Sequence, residues 1–276
     1  MKRRRLKPLL IGLAALLLIA GLVALPVVRE LRQEAKDRAL IAAIKRYDDS
    51  SVVELLNEGA DANARELPKE TRSVLRLGWD ILLGRHAMDE NAGRTPLLIA
   101  FTEPVPGISH PPQLIFVPHP HTRIVRALLE HGANPNVAGE EGFSPLSYGI
   151  VPGRTEIALL LLKHGAKMVQ ISNGKKEELF AQAAAEDNDT RVLQAMLDRG
   201  ADINARDEIG MTALMYAIDG GSVAAVRFLL AHHANVGIKD NTHRTPFDHA
   251  RDIVLDDSLH TARKQIIHLL RQAGAR

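Results

Sequence analysis

The sequence predicts an all-α chain: a single transmembrane helix followed by a solenoid of about six helix-pair units. Three observations predict it. Residues 9–28 form an uncharged apolar run, an apolar pair closing on Gly-Ala recurs along the rest of the chain, and a Thr/Ser-Pro-Leu opening recurs ahead of it. Apolar residues make up 46% of the chain and aromatics only 4%, a balance that favours closely packed helices over sheets.

The N-terminal segment comes first. Residues 1–8 are a basic tail with Lys2, Arg3, Arg4, Arg5 and Lys7. Residues 9–28, LLIGLAALLLIAGLVALPVV, hold no charge. At about 1.5 Å per residue they reach roughly 30 Å, the hydrocarbon thickness of a bilayer. A cleaved signal peptide has a shorter apolar stretch and a small-x-small exit, and Val23-Ala24-Leu25-Pro26 fits that exit poorly. An uncleaved anchor is therefore expected, with a secreted soluble form after cleavage as the alternative. The basic tail points to the cytoplasmic side. With a cysteine-free, Ala/Leu/Arg-rich composition, this predicts a bacterial inner-membrane protein with its repeats in the periplasm. A linker is expected at 29–36 and the repeat domain over 37–276.

Charge separates the two parts. Residues 1–38 hold nine basic and three acidic residues, which leaves 26 basic and 30 acidic, a net of −4, for residues 39–276. A mildly acidic domain has no general attraction for phosphate backbones, which argues against a nucleic-acid partner. The absence of cysteine removes disulfides, thiolate metal sites and cysteine nucleophiles.

The repeat ends as Leu55-Leu56-Asn57-Glu58-Gly59-Ala60, and again at Gly132-Ala133, Gly165-Ala166, Gly200-Ala201, His233-Ala234 and Gly274-Ala275. The intervals are 73, 33, 35, 33 and 41 residues. Openings stand at Arg94-Thr95-Pro96-Leu97, Phe143-Ser144-Pro145-Leu146, Met211-Thr212-Ala213-Leu214 and Arg244-Thr245-Pro246-Phe247. A hydroxyl residue before proline is a helix cap followed by a residue whose missing N–H costs nothing there. A glycine at the end of the second helix supplies a left-handed residue. One such pair cannot bury its own apolar face, so neighbours must stack.

Opening and ending together resemble the ankyrin repeat, whose units start T-P-L-H-x-A and end G-A-(D/N)-x-N. The endings here include Gly59-Ala60-Asp61-Ala62-Asn63, Gly132-Ala133-Asn134-Pro135-Asn136 and Gly200-Ala201-Asp202-Ile203-Asn204. The resemblance covers about residues 37–276 and implies short hairpin fingers between units, with partners meeting the fingertips and the concave face. The family histidine is replaced by Leu98, Ser147, Met215 and Asp248, His233 stands for a capping glycine, and the fourth unit lacks the Thr-Pro start. Local loosening of the affected first helices is expected.

Two stretches break the period. Residues 66–90 sit where a finger should join units one and two, and carry the only tryptophan, Trp79. Residues 102–121 hold six prolines around Leu114-Ile115-Phe116-Val117, a run that either packs on the stack or docks a partner. His110, His119 and His121 lie in this insertion without the further ligands a metal site needs, so no metal, cofactor or small-molecule substrate is expected. A metal-handling protein using them is the remote alternative. No phosphate loop, zinc-binding helix or nucleophile elbow appears, and no catalytic residue is assigned. The expected function is a membrane-anchored scaffold that binds another protein. Trp79, Ile115, Phe116, Glu140, Glu141, Ile209 and Asp240 are the candidate contacts.

Overall fold

Outside the fourth unit, the first helices after α1 begin at a hydroxyl, and the structure puts those hydroxyls on the backbone they should cap. The computed structural model describes residues 6–66, 94–102, 122–139, 142–172, 175–185, 189–252 and 257–275. Within it the amides of Leu98, Ser147 and Met215 donate to the side-chain oxygens of Thr95, Ser144 and Thr212 at 3.5, 3.3 and 3.4 Å. Each bond satisfies one of the amides a helix start leaves open. At Thr245 the arrangement is reciprocal. The Asp248 amide donates to Thr245 Oγ1 at 3.2 Å, while Asp248 Oδ2 accepts from the Thr245 amide at 2.9 Å. Asp248, which replaces the family histidine, thus closes a capping box.

Among the described residues six helix pairs follow one another. They are α1 (Leu6–Lys45) with α2 (Asp49–Asn57), α3 (Pro96–Thr102) with α4 (Thr122–Glu130), and α5 (Pro145–Gly149) with α6 (Thr155–Lys163). Then come α7 (Leu179–Ala185) with α8 (Thr190–Asp198), α9 (Ala213–Asp219) with α10 (Val223–Ala231), and α11 (Pro246–Asp252) with α12 (Asp257–Gln272). The second helices α2, α4, α6, α8 and α10 are nine residues each, and each packs on the next. Their apolar residues interlock across the pair boundaries: Val52 and Leu56, then Ile124 and Leu128, Ile157 and Leu161, Val192 and Met196, Val226 and Leu229, all buried. One continuous core runs from Leu40 to Ala275. Each such buried side chain contributes roughly 1.5–3 kcal/mol.

Hydrogen bonds set the spacing. Asn63 Nδ2 donates to Gly132 O at 2.9 Å and its Oδ1 accepts from the Asn134 amide at 2.7 Å, tying the end of one unit to the end of the next. Asn136 repeats this on Gly165 O and the Lys167 amide at 3.1 and 2.7 Å. Asn204 accepts from the Asn235 amide at 2.9 Å. Ahead of the first unit two side chains of α1 share the same task. Gln33 Nε2 donates to Gly59 O at 2.9 Å, and Asp37 Oδ1 accepts from the Asp61 amide at 2.8 Å.

Two expectations change. Residues 29–36, expected as a linker, continue the helix without a break, because Gln33 and Lys36 bond the carbonyls of Gly59 and Glu58. The expected loosening of first helices is confined to α5, which ends after five residues at Gly149, whereas α7 and α9 have the seven residues of α3. Ahead of α7 an antiparallel hairpin, β1 (Val169–Ser172) with β2 (Lys175–Glu178), leads straight in, and the Leu179 amide donates to Met168 O at 2.9 Å. That hairpin stands where the missing Thr-Pro opening would. Finally, among the described residues no helix is long and apolar enough to cross a membrane. The side chains described begin at Leu25, so most of the expected 9–28 span lies outside them. The insertions expected at 66–90 and 102–121 lie outside the described residues, apart from Glu66 and Thr102. Glu66 joins Lys45 at 2.5 Å and Arg94 at 3.0 Å, closing the base of the first insertion.

The unit ends show one strained position. Gly59, Gly132, Gly165, Gly200 and Gly274 all adopt φ between 82° and 90°, and His233 takes the equivalent place at φ 65°. The bonds that fix it there are those of its glycine counterparts: the His233 amide to Leu230 O at 3.1 Å and the Ala234 amide to Leu229 O at 2.9 Å. A left-handed conformation costs an L-residue roughly 1–2 kcal/mol. Net of the larger unfolded-chain entropy of glycine, His233→Gly is accordingly expected to stabilise the protein by about 0.5–1 kcal/mol in urea unfolding. A lower midpoint would contradict the strain.

Candidate partner-binding groove

Small side chains create the groove. Ala181 on α7, Ala201 and Ala205 after α8, and Ala213 at the start of α9 leave a cleft of about 480 Å³ beside the hairpin base. Met168, Val169 and the buried ring of Phe180 complete an apolar lining, with Lys167 and Asp202 as the charged groups. This geometry accepts an apolar side chain and offers one charge of each sign to orient it. It contains no paired acid and base and no nucleophile. Among the described residues, no group of three or more His, Asp or Glu side chains is placed to hold a metal ion. His110, His119 and His121 lie outside the described residues.

Next to the groove stands a stiffened fingertip. The Asp207 carboxylate accepts from the Ile209 amide at 3.0 Å, the Met211 amide at 2.8 Å and the Tyr216 hydroxyl at 2.5 Å. The Arg206 guanidinium donates to Gly210 O at 3.1 Å and crosses to Lys239 O at 3.0 Å in the following finger. Asn241 returns two bonds, from its amide to Ile209 O and from Nδ2 to Glu208 O, both at 2.9 Å. Gly210 must be glycine here, because φ is 81° and a Cβ would sit 2.8 Å from the Asn241 amide nitrogen. Ile209 is left 56% exposed on this cross-braced tip. A large aliphatic side chain held outward on a rigid loop loses little entropy when it is covered.

Of the contacts expected from sequence, Trp79, Ile115, Phe116, Glu140 and Glu141 lie outside the described residues. Ile209 is exposed as a contact requires. Asp240 is not, with 8% exposure. Its Oδ1 accepts from the Thr242 amide, the Thr242 hydroxyl and the Arg244 amide at 2.8, 2.8 and 2.9 Å. Its Oδ2 lies 3.1 Å from His249 Nε2. The other imidazole nitrogen, Nδ1, lies 2.9 Å from Asp219 Oδ1 at the end of α9. His249 therefore bridges the fifth finger to the fifth unit's first helix, and it was not singled out in the sequence. A signal existed: Asp207 and Asp240 each stand five residues before the Thr of an opening, an offset that marks a turn cap and not a contact.

Burial pushes the Asp240 carboxyl up, but the Arg244 amide, the Thr242 hydroxyl, His249 and the Thr242 amide outweigh it and hold the group well below the usual carboxylate range. A carboxyl whose folded value lies below its unfolded value adds stability above the unfolded value, near pH 4, and loses it as pH falls further. Asp240→Ala is expected to cost roughly 2–3 kcal/mol at pH 7, through the amides and imidazole left unpaired. The loss relative to wild type should shrink between about pH 4 and pH 2. Urea titrations across that range check both, and a pH-independent difference would remove Asp240 from the account.

Comparisons with known proteins agree with this geometry. The ankyrin-repeat family models match residues 92–140, as one repeat, and 180–254, as three copies. An ankyrin repeat protein of Neurospora crassa, nuc-2, is 35% identical over 141 residues, covering 51% of this chain and 13% of that one. An ankyrin repeat-containing protein of Treponema pallidum is 32% identical over 117 residues, covering 42% of this chain and 39% of that one. The B-cell lymphoma 3 protein homolog of Mus musculus is 32% identical over 139 residues, covering 48% and 30%. The chain thus spans well under half the length of these relatives. A crystallised ankyrin repeat protein, EF0377, superposes with a TM-score of 0.57 over 86% of this chain and 98% of its own, at 24% identity, and shares the fold. By its repeats and its stacking, the chain carries ankyrin repeats over residues 92–140 and 180–254 and is similar to ankyrin-repeat proteins.

Proposed function

We propose that this chain is a membrane-anchored scaffold that holds another protein in the groove beside α7 and performs no catalysis. Ankyrin repeats generally serve protein–protein interaction. The observation that carries the reading for this chain is the apolar cleft with exposed Ile209 on the adjoining cross-braced tip. A preformed apolar cleft and a rigid aliphatic knob suit a partner segment with one large apolar side chain and a complementary apolar patch.

The anchor rests on the twenty uncharged residues 9–28 and the basic tail before them. Residues 29–36 continue as helix into the first unit, so the stack would be joined to the bilayer by a rod and not by a flexible tether. The tail's charge supports an orientation with the repeats on the periplasmic side of a bacterial inner membrane.

Two experiments separate these parts. Affinity capture with the full chain should recover a partner that Ala181→Arg, which fills the cleft, and Ile209→Asp each reduce at least about tenfold, with unchanged circular dichroism. Capture unaffected by either would overturn the groove assignment. Alkaline carbonate should leave the chain in the membrane pellet, whereas release to the supernatant would contradict anchoring.

A further inference from the structure

A second groove lies on the opposite side of the stack, between the second helices of the last two units. Arg227 on α10 faces Lys264, Gln265, His268, Leu269 and Gln272 on α12 across a cleft of about 380 Å³. Arg227, Lys264 and His268 are exposed, and among the described residues none of the three makes a hydrogen bond or ion pair. Two exposed cations of earlier second helices are engaged: Arg126 pairs with Glu156 at 2.5 Å and Arg191 with Asp189 at 2.6 Å. The remaining cations of α12 also have internal work. Arg263 donates to the carbonyls of Ala250 and Arg251, and Arg271 lies 5.8 Å from the centre of the Phe247 ring. The last helix is sixteen residues long where the earlier second helices have nine. It carries Arg263, Lys264 and Arg271 against the single acid Asp257, within a domain of net charge −4.

We propose that this groove binds an acidic segment of a partner protein, with carboxylates on Arg227 and Lys264, the amides of Gln265 and Gln272 on its backbone, and an apolar side chain on Leu269. The chemistry selects a peptide. A nucleic acid would meet the repulsion of the surrounding acidic domain along most of its length, and a bilayer surface cannot enter a cleft between two helices. This surface is separate from the groove beside α7, so either assignment can fail without the other.

The test uses the full chain in neutral detergent and a fluorescein-labelled twelve-residue peptide, four repeats of Glu-Glu-Leu, read by anisotropy. Binding should weaken more than tenfold in Arg227→Glu/Lys264→Glu, by several-fold in Arg227→Gln/Lys264→Gln, and more than tenfold when the peptide glutamates become glutamines. It should be unchanged in Lys163→Glu/Arg199→Glu, whose cations lie on other units. If the reversed pair fails to fold by circular dichroism, the glutamine pair decides. Affinity equal in wild type and the glutamine pair overturns the proposal. So does binding lost only when Arg3, Arg4 and Arg5 become Ser, which assigns it to the basic tail. Reversal-sensitive binding to phosphatidylglycerol vesicles without peptide binding, or a wild-type dimer that the reversed pair dissociates, also overturns it.

Discussion

No unit of this protein can cover its own apolar face. A nine-residue second helix and a first helix of about seven form a pair with two apolar sides, and only the pairs before and after can remove both from water. Everything else follows from that dependence. The residues on the seams, Leu128, Leu161, Met196 and Leu229, are buried without exception, and the core they form has no break between Leu40 and Ala275.

Directional contacts convert this undirected attraction into one register. Apolar seams alone would tolerate sliding, whereas the Asn63 and Asn136 side chains each bond both a carbonyl and an amide of the following unit. At the front of the stack Gln33 and Asp37 supply the equivalent donor and acceptor from one helix. The N-terminal helix thus fixes the end of its own pair with the same kind of bonds. At the back, α12 lengthens to sixteen residues and spends Arg263 and Arg271 on the sixth unit's own carbonyls and ring. A stack built this way leaves the fingertip at Ile209 exposed and cross-braced, which is the arrangement a binding surface requires.

The repeats were legible because their signals are local and recur: a capping hydroxyl, an apolar pair and a left-handed terminus each depend on neighbours in sequence. Asp240 shows where such reading stops. Its acid type and finger position suggested an exposed contact, yet His249 and Asp219, distant in sequence, draw it inward. Continuity across 29–36 was also hidden, because charged residues after an apolar run read as a linker unless Gly59 and Glu58 are known to wait beside Gln33 and Lys36. The groove was illegible for another reason. Alanine at 181, 201, 205 and 213 reads as good helix or loop filler, and only their convergence makes a cleft. Ile209 was found through the resemblance, which puts residues 205–210 at a fingertip.

The central claim is that adjoining units share one seam and therefore stand or open together. Leu161, wholly buried in α6, touches that claim directly. Residue-resolved hydrogen exchange on Leu161→Ala measures it. The account predicts faster exchange in α4 and α8 on either side as well as in α6, from a loss of about 2–5 kcal/mol shared across the boundaries. Faster exchange confined to α6, with α4 and α8 as protected as in the unaltered protein, would contradict a shared core.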